Sequence, residues 1–202
     1  MSSSPMQHNT TPIGTMELII GPMFSGKTTR LIAQISRYSI AHKRCAVIRH
    51  SVDTRYEELR THCGQCCKAA NIINCTSIKD VLFTQTIRSP DYDVIGIDET
   101  QFFAYDEKST WIMAREIDDA CMCGKTIICA GLDTNWLREP YNYISGLVSR
   151  ADVITKLRAI CMRCDREAIY SARKPDSGAD GNPIGGADKY EALCRRCYIA
   201  NL

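Results

Sequence analysis

The stretch Gly21-Pro22-Met23-Phe24-Ser25-Gly26-Lys27-Thr28 limits the possible folds of this chain more than any other, because it meets the pattern G-x-x-x-x-G-K-[ST] at each fixed position. Residues 16–20 before it read as a buried strand. Residues 29–41 after it read as a helix, with Leu31, Ile32, Ile35, Tyr38 and Ser39 on one face. Glycines let the backbone curl so that several N–H groups point inward at phosphate oxygens, and the helix N-terminus adds its partial positive charge. Lys27 then reaches the outer phosphates and Thr28 supplies the hydroxyl for Mg2+. A ligand-free glycine turn is the plain alternative, but the complete pattern between a strand and a helix points to a nucleoside triphosphate held by Gly21, Pro22, Met23, Phe24, Ser25, Gly26, Lys27 and Thr28.

Further apolar, β-branched runs occur at 17–20, 45–49, 71–74, 93–97, 126–130 and 153–157. Continuous apolar runs of this length suit strands covered on both faces. Helical patterns fall between them at 28–41, 78–87, 106–123 and 143–149. Right-handed crossovers then give an α/β fold, a doubly wound parallel sheet of P-loop NTPase type, with its ligand loops at the carboxyl ends of the strands. The 202 residues are enough for one medium domain, or for one domain and a small appendage. A net charge of +2 gives no support to a large nucleic-acid footprint, and no apolar run approaches the ~20 residues of a membrane span. Residues 1–14 are polar, lack the features of a signal peptide and read as a disordered tail. With no secretion signal, the 12 cysteines read as reduced thiols or metal ligands in a cytoplasmic protein, a nuclear one remaining open.

A second acidic signal follows the run 94–97. Asp98 ends a buried strand downstream of the phosphate loop and fits a Mg2+ ligand acting through water, opposite Thr28. Glu99, one residue further, is placed to act as a base on an attacking hydroxyl, either of water or of a substrate. Cys161-x-x-Cys164 and Cys194-x-x-Cys197 are two knuckles with 29 residues between them. Four sulfur ligands fill a tetrahedral Zn2+ and leave no open position, so this zinc is structural and pins both ends of the intervening loop. Cys63-Gly64-Gln65-Cys66-Cys67, beside His62, reads as surface or packing cysteines, and Cys45 and Cys129 as small core residues. The domain reading is therefore a tail over 1–14, a nucleotide-binding domain over 15–155 and a zinc-binding domain over 156–202.

Together these segments resemble the type II thymidine kinases, the zinc-containing tetrameric class. The resemblance rests on the phosphate loop, on Val94-Ile95-Gly96-Ile97-Asp98-Glu99-Thr100-Gln101-Phe102-Phe103, and on Ala130-Gly131-Leu132-Asp133. It continues in Lys156-Leu157, the two cysteine pairs, and Ile184-Gly185-Gly186-Ala187-Asp188-Lys189-Tyr190. It implies transfer of the ATP γ-phosphate to the 5′-hydroxyl of thymidine or deoxyuridine, with Glu99 as catalytic base and Gln101 on the nucleotide side. It implies a zinc-held lasso that closes over the base, and a pocket formed by Met23, Phe102, Leu132, Trp136, Tyr141, Ser171, Ile184, Gly185, Gly186 and Tyr190. A homotetramer and inhibition by thymidine triphosphate are implied as well.

Four positions depart from the family pattern. Trp136 and Tyr141 stand where Phe is usual, and Ser171 where a Thr often contacts the methyl side, which is expected to loosen methyl selectivity. Cys63 stands where Asp usually follows Thr61-His62. Two other classes fit parts of the pattern: a zinc-ribbon ATPase acting on nucleic acid, and a nucleotide-binding regulator without catalysis. The near-neutral charge opposes the first, and the presence of Lys27, Thr28, Asp98 and Glu99 opposes the second.

Overall fold

The computed structural model describes residues 13–51, 70–175 and 185–200. Its centre is a six-stranded parallel sheet in the order β3-β2-β4-β5-β1-β6. The strands are β1 (Thr15–Gly21), β2 (Cys45–His50), β3 (Asn71–Cys75), β4 (Val94–Ile97), β5 (Thr126–Leu132) and β6 (Val153–Lys156). Each lies within two residues of an apolar run in the sequence. In the inner strands β1, β2, β4 and β5 the reason is burial on both faces, which selects Ile, Val, Leu, Cys and Ala over an alternating pattern, while the edge strands β3 and β6 are partly exposed.

Side chains of β1 show the two layers. Leu18 and Ile20 point into one core with Ile95, Ile97, Ile127 and Cys129, while Ile19 points into the other with Val47, Val94 and Ile128. Helix α1 (Lys27–Ile40) covers the second face through Leu31, Ile32 and Ile35, all fully buried. Gly96 makes room for it, since a Cβ there would lie 3.1 Å from Leu31 and 3.3 Å from Ile35. Helices α2 (Val81–Arg88), α3 (Glu107–Met122) and α4 (Tyr143–Leu147) cover the first face with Phe83, Ile87, Met113, Ile117, Tyr143 and Leu147.

Helix α2 starts at Val81 and not at residue 78, because the Asp80 carboxylate accepts from the Leu82 N–H and caps it there. Helix α3 opens with a reciprocal Asp106–Ser109 capping box. Helix α1 differs: its N-cap is Gly26 at φ 83°, with no side-chain cap, so the first N–H groups face the phosphate loop.

After Lys156 the chain leaves the sheet for a small module with its own core. It holds two antiparallel ribbons, β7 (Ala159–Ile160) with β8 (Glu167–Ala168) and β9 (Tyr170–Arg173) with β10 (Tyr190–Leu193), followed by α5 (Arg195–Ile199). These short strands have no periodicity for the sequence to display. Ile13 and Gly14 are the only described residues of the expected tail, and the Cys63 cluster lies outside the described residues. No helix of the described residues is long and apolar enough to cross a membrane.

Candidate active site

Parallel strands end on one edge, and the registers gather their carboxyl ends. Gly21 of β1 lies beside Leu132 of β5, Ile20 beside Lys156 of β6, and Ile97 of β4 beside Cys129. The phosphate loop, Asp98 and Asp133 each follow one of these ends, so the topology alone brings them together.

Gly21 has φ 148°, and a Cβ on it would come within 2.5 Å of the Leu157 carbonyl oxygen, so only glycine fits there. Within the loop, the Ser25 hydroxyl and the Lys27 ammonium both donate to the Pro22 carbonyl, at 2.8 and 2.7 Å. Burial lowers the Lys27 pKa, and the nearby carboxylates of Glu99, Asp98 and Asp133 act against that. Thr28 Oγ1 lies 3.3 Å from both carboxylate oxygens of Asp98, which is 3% exposed. A hydroxyl and a buried carboxylate at this separation form the oxygen-donor pair that a hard divalent cation takes.

Glu99 adopts a left-handed conformation, φ 50° and ψ 45°, at the N-cap of the short 3-10 turn Thr100–Phe102. Three contacts hold that turn. Thr100 Oγ1 donates to the carbonyls of Ala130 and Ile97, at 2.9 and 3.1 Å. Gln101 Oε1 accepts from the Leu132 N–H at 3.0 Å, which orients the amide so that Nε2 donates to Glu99 Oε2 at 2.5 Å. The Tyr143 hydroxyl donates to the Leu132 carbonyl at 2.8 Å. Gly131 must be glycine for this packing, since a Cβ would sit 2.7 Å from Gln101 Oε1 and 2.8 Å from the Tyr143 hydroxyl. Gln101, expected on the nucleotide side, thus has its amide committed between Glu99 and Leu132.

Two site residues carry no strong sequence signal. Asp133 is 6% exposed and pairs with Lys156 at 2.9 Å, joining the ends of β5 and β6 next to Lys27. Its position directly after a buried strand, like that of Asp98, is the clue available in the sequence. Thr100 is the other, an ordinary residue until its two carbonyl partners are known.

Several of the expected pocket residues lie on or beside the small module. The Tyr190 ring lies 6.5 Å from that of Trp136, and the Arg173 guanidinium stacks over Trp136. Burial pushes the Tyr141 hydroxyl up to about 12, helped by Tyr190 and Glu99, which places all three in one region. Half-buried Phe102 lies against His50, at 5.5 Å between rings. Ser171 is 3% exposed, and its Oγ accepts from the Met23 N–H at 2.9 Å. The Gly186 carbonyl accepts from the N–H groups of Lys189 and Tyr190, so Gly185 and Gly186 form the turn into β10. Ile184 lies outside the described residues.

Cys161, Cys164, Cys194 and Cys197 place their sulfurs within 4.8 Å of one another, with Cys164 and Cys194 at 3.6 Å. A tetrahedral Zn2+ with ~2.3 Å bonds needs sulfurs about 3.8 Å apart, so the cluster fits the ion. Backbone N–H groups supply the surrounding support: that of Cys197 donates to Cys194 Sγ, and Asp165 N–H closes the first knuckle onto the Cys161 carbonyl. Four thiols this close ionise together only when a cation compensates them.

The thymidine kinase family model matches residues 14–198, from the start of β1 through both cysteine pairs. Thymidine kinase 1 of Dictyostelium discoideum is 42% identical over 191 residues, covering 92% of this chain and 78% of the relative. The chain belongs to the thymidine kinase family. Two viral members of that family are as similar. The thymidine kinase of variola virus is 42% identical over 189 residues, 92% of this chain and 97% of the relative. That of vaccinia virus strain Ankara is 40% identical over 189 residues, 93% and 98%. As a thymidine kinase family member, the chain uses its phosphate loop and its cysteine module in a single architecture, and the nucleic-acid ATPase reading is not favoured.

Proposed function

We propose that this chain transfers the γ-phosphoryl group of ATP to the 5′-hydroxyl of thymidine, with deoxyuridine as a second acceptor. The observation that carries the reading is the Glu99 carboxylate, aimed by Gln101 and standing next to the Thr28–Asp98 pair and Lys27. Family membership supports the kinase and its substrate.

In this mechanism the phosphate loop and the open N-terminus of α1 hold the triphosphate, and Lys27 turns from the Pro22 carbonyl to the outer phosphates. Thr28 and Asp98 would hold Mg2+, which would supply positive charge to offset that of the phosphates. Glu99 accepts the proton of the 5′-hydroxyl as that oxygen bonds to the γ-phosphorus and the bond from phosphorus to the β,γ-bridging oxygen breaks, leaving ADP. Met23, Phe102, Leu132, Trp136, Tyr141, Ser171, Gly185, Gly186 and Tyr190 form the nucleoside pocket, of which Trp136 and Tyr190 offer stacking faces. The four cysteines would hold Zn2+, which would tie the two knuckles together and so support a lasso over the base.

Three further parts of the proposal follow the family resemblance. Thymidine triphosphate inhibits by placing its nucleoside in the pocket and its phosphates toward the loop. The chain forms a homotetramer, an association that would cover exposed apolar surface such as Val153 and Ile154 on edge strand β6. The compartment is cytoplasmic, in keeping with a cysteine cluster of metal-binding type.

Glu99→Gln tests the base. We expect kcat to fall about 100- to 10,000-fold with binding of an ATP analogue retained. A variant with near-normal kcat removes Glu99 from the chemistry.

A further inference from the structure

The phosphate loop does not rest on the large sheet alone. Three of its residues are held by the cysteine module. The α-carbon of Gly21 lies against the Leu157 carbonyl, and Leu157 N–H donates to Ile20, so the chain entering the module runs along the start of the loop. Next, the Met23 N–H is bound by Ser171 Oγ of β9 at 2.9 Å. Finally, the partly buried Phe24 side chain packs against the module's core, as Cys164, Tyr170 and Cys197 do. Phe24 also has φ 63°, a left-handed backbone that a non-glycine residue keeps only where its surroundings enforce it. The module's core, against which the Phe24 side chain packs, is part of those surroundings.

The core that seats Phe24 is small. Besides Tyr198, Leu193 and two of the cysteines, it consists of Ala159, Ala168, Ala172 and Ala192. So little apolar surface gives such a module weak independent stability, and the bound metal supplies much of its order. We propose that metal binding at the four cysteines is thermodynamically linked to triphosphate binding at the phosphate loop, through Phe24 and Ser171 as positioning residues. The zinc module thereby serves the phosphate-donor site directly, independently of its part in covering the nucleoside. An ordered module fixes the left-handed turn at Phe24 and the direction of the Met23 N–H, and these set the curl of the loop toward phosphate. Linkage is reciprocal, so nucleotide in the loop must tighten the hold on the metal by the same factor.

The inference rests on the reading that the loop takes ATP and the cysteines take zinc. The test is competition for zinc between the full zinc-loaded chain and a chromophoric chelator, with no nucleoside present. It is run with and without Mg2+ and a non-hydrolysable ATP analogue. We expect the analogue to raise the chelator midpoint about fivefold or more. Phe24→Ala should lose that shift while still holding one zinc per chain, and Phe24→Leu should recover part of it. If Phe24→Ala does not fold, Ser171→Ala, which removes the acceptor of the Met23 N–H, takes its place with the same expectation. One midpoint with and without analogue, or an undiminished shift in the folded variant, overturns the linkage. Zinc content and saturable analogue binding of the unmodified chain are measured alongside. Absence of either overturns the underlying reading and this proposal with it, whereas a flat midpoint with both present overturns the linkage alone.

Discussion

Gln101 holds Glu99 by a single amide hydrogen, and its other end is fixed by a backbone N–H, so its function can be removed without changing its shape. Gln101→Met keeps the length of the side chain and deletes both hydrogen bonds. Misplacing a base by about 1 Å costs on the order of a hundredfold. We therefore expect kcat to fall by about that factor, with KM for ATP and thymidine changed by less than about twofold, in steady-state kinetics. Gln101→Glu should be worse, because two carboxylates then face each other where an N–H met an oxygen. Equal losses in KM and kcat would make Gln101 a binding residue. That Lys27, Thr28, Asp98 and Glu99 share one site is legible in the sequence because each lies at a fixed offset in a local motif. The part played by Gln101 is not, since its partners are 2 and 31 residues away and the second is a backbone group.

At the scale of elements, Gly131 shows how close β5 and the Thr100–Phe102 turn approach. An added methyl would meet the Gln101 amide oxygen at 2.7 Å and the Tyr143 hydroxyl at 2.8 Å. Gly131→Ala should destabilise the protein by about 1–3 kcal/mol, as overpacking of a closed site does. It should also lower kcat, because the displaced group is the one that orients Glu99. Urea unfolding and kinetics on the same sample check both effects, and a fully active, fully stable variant would refute the described packing. The four inner sheet strands are legible because burial on both faces writes them as apolar runs, whereas the partly exposed edge strands β3 and β6 show only as short β-branched segments. Strands β7 to β10 are not legible, because two to four residues hold too little pattern for periodicity to display. The start of α2 was displaced for a similar reason: Ile78 is buried core, but Asp80 is the cap.

The whole molecule joins a large sheet to a small four-cysteine module across its phosphate loop. Removing the metal should therefore be felt beyond the module. Cys194→Ser, or zinc extraction, is expected to lower the melting temperature and weaken thymidine binding together, by calorimetry with parallel zinc analysis. A metal-free chain with unchanged melting and unchanged thymidine affinity would contradict a structural zinc. The central claim is the reaction itself, and transfer of labelled γ-phosphate from ATP tests it most directly. The acceptors are thymidine, deoxyuridine, deoxycytidine and thymidine monophosphate, each with the zinc-loaded full chain. The account predicts label on the 5′-oxygen of thymidine and, less efficiently, of deoxyuridine, with none on thymidine monophosphate. ATP consumption at the same rate with or without nucleoside, and no labelled nucleotide product, would contradict it.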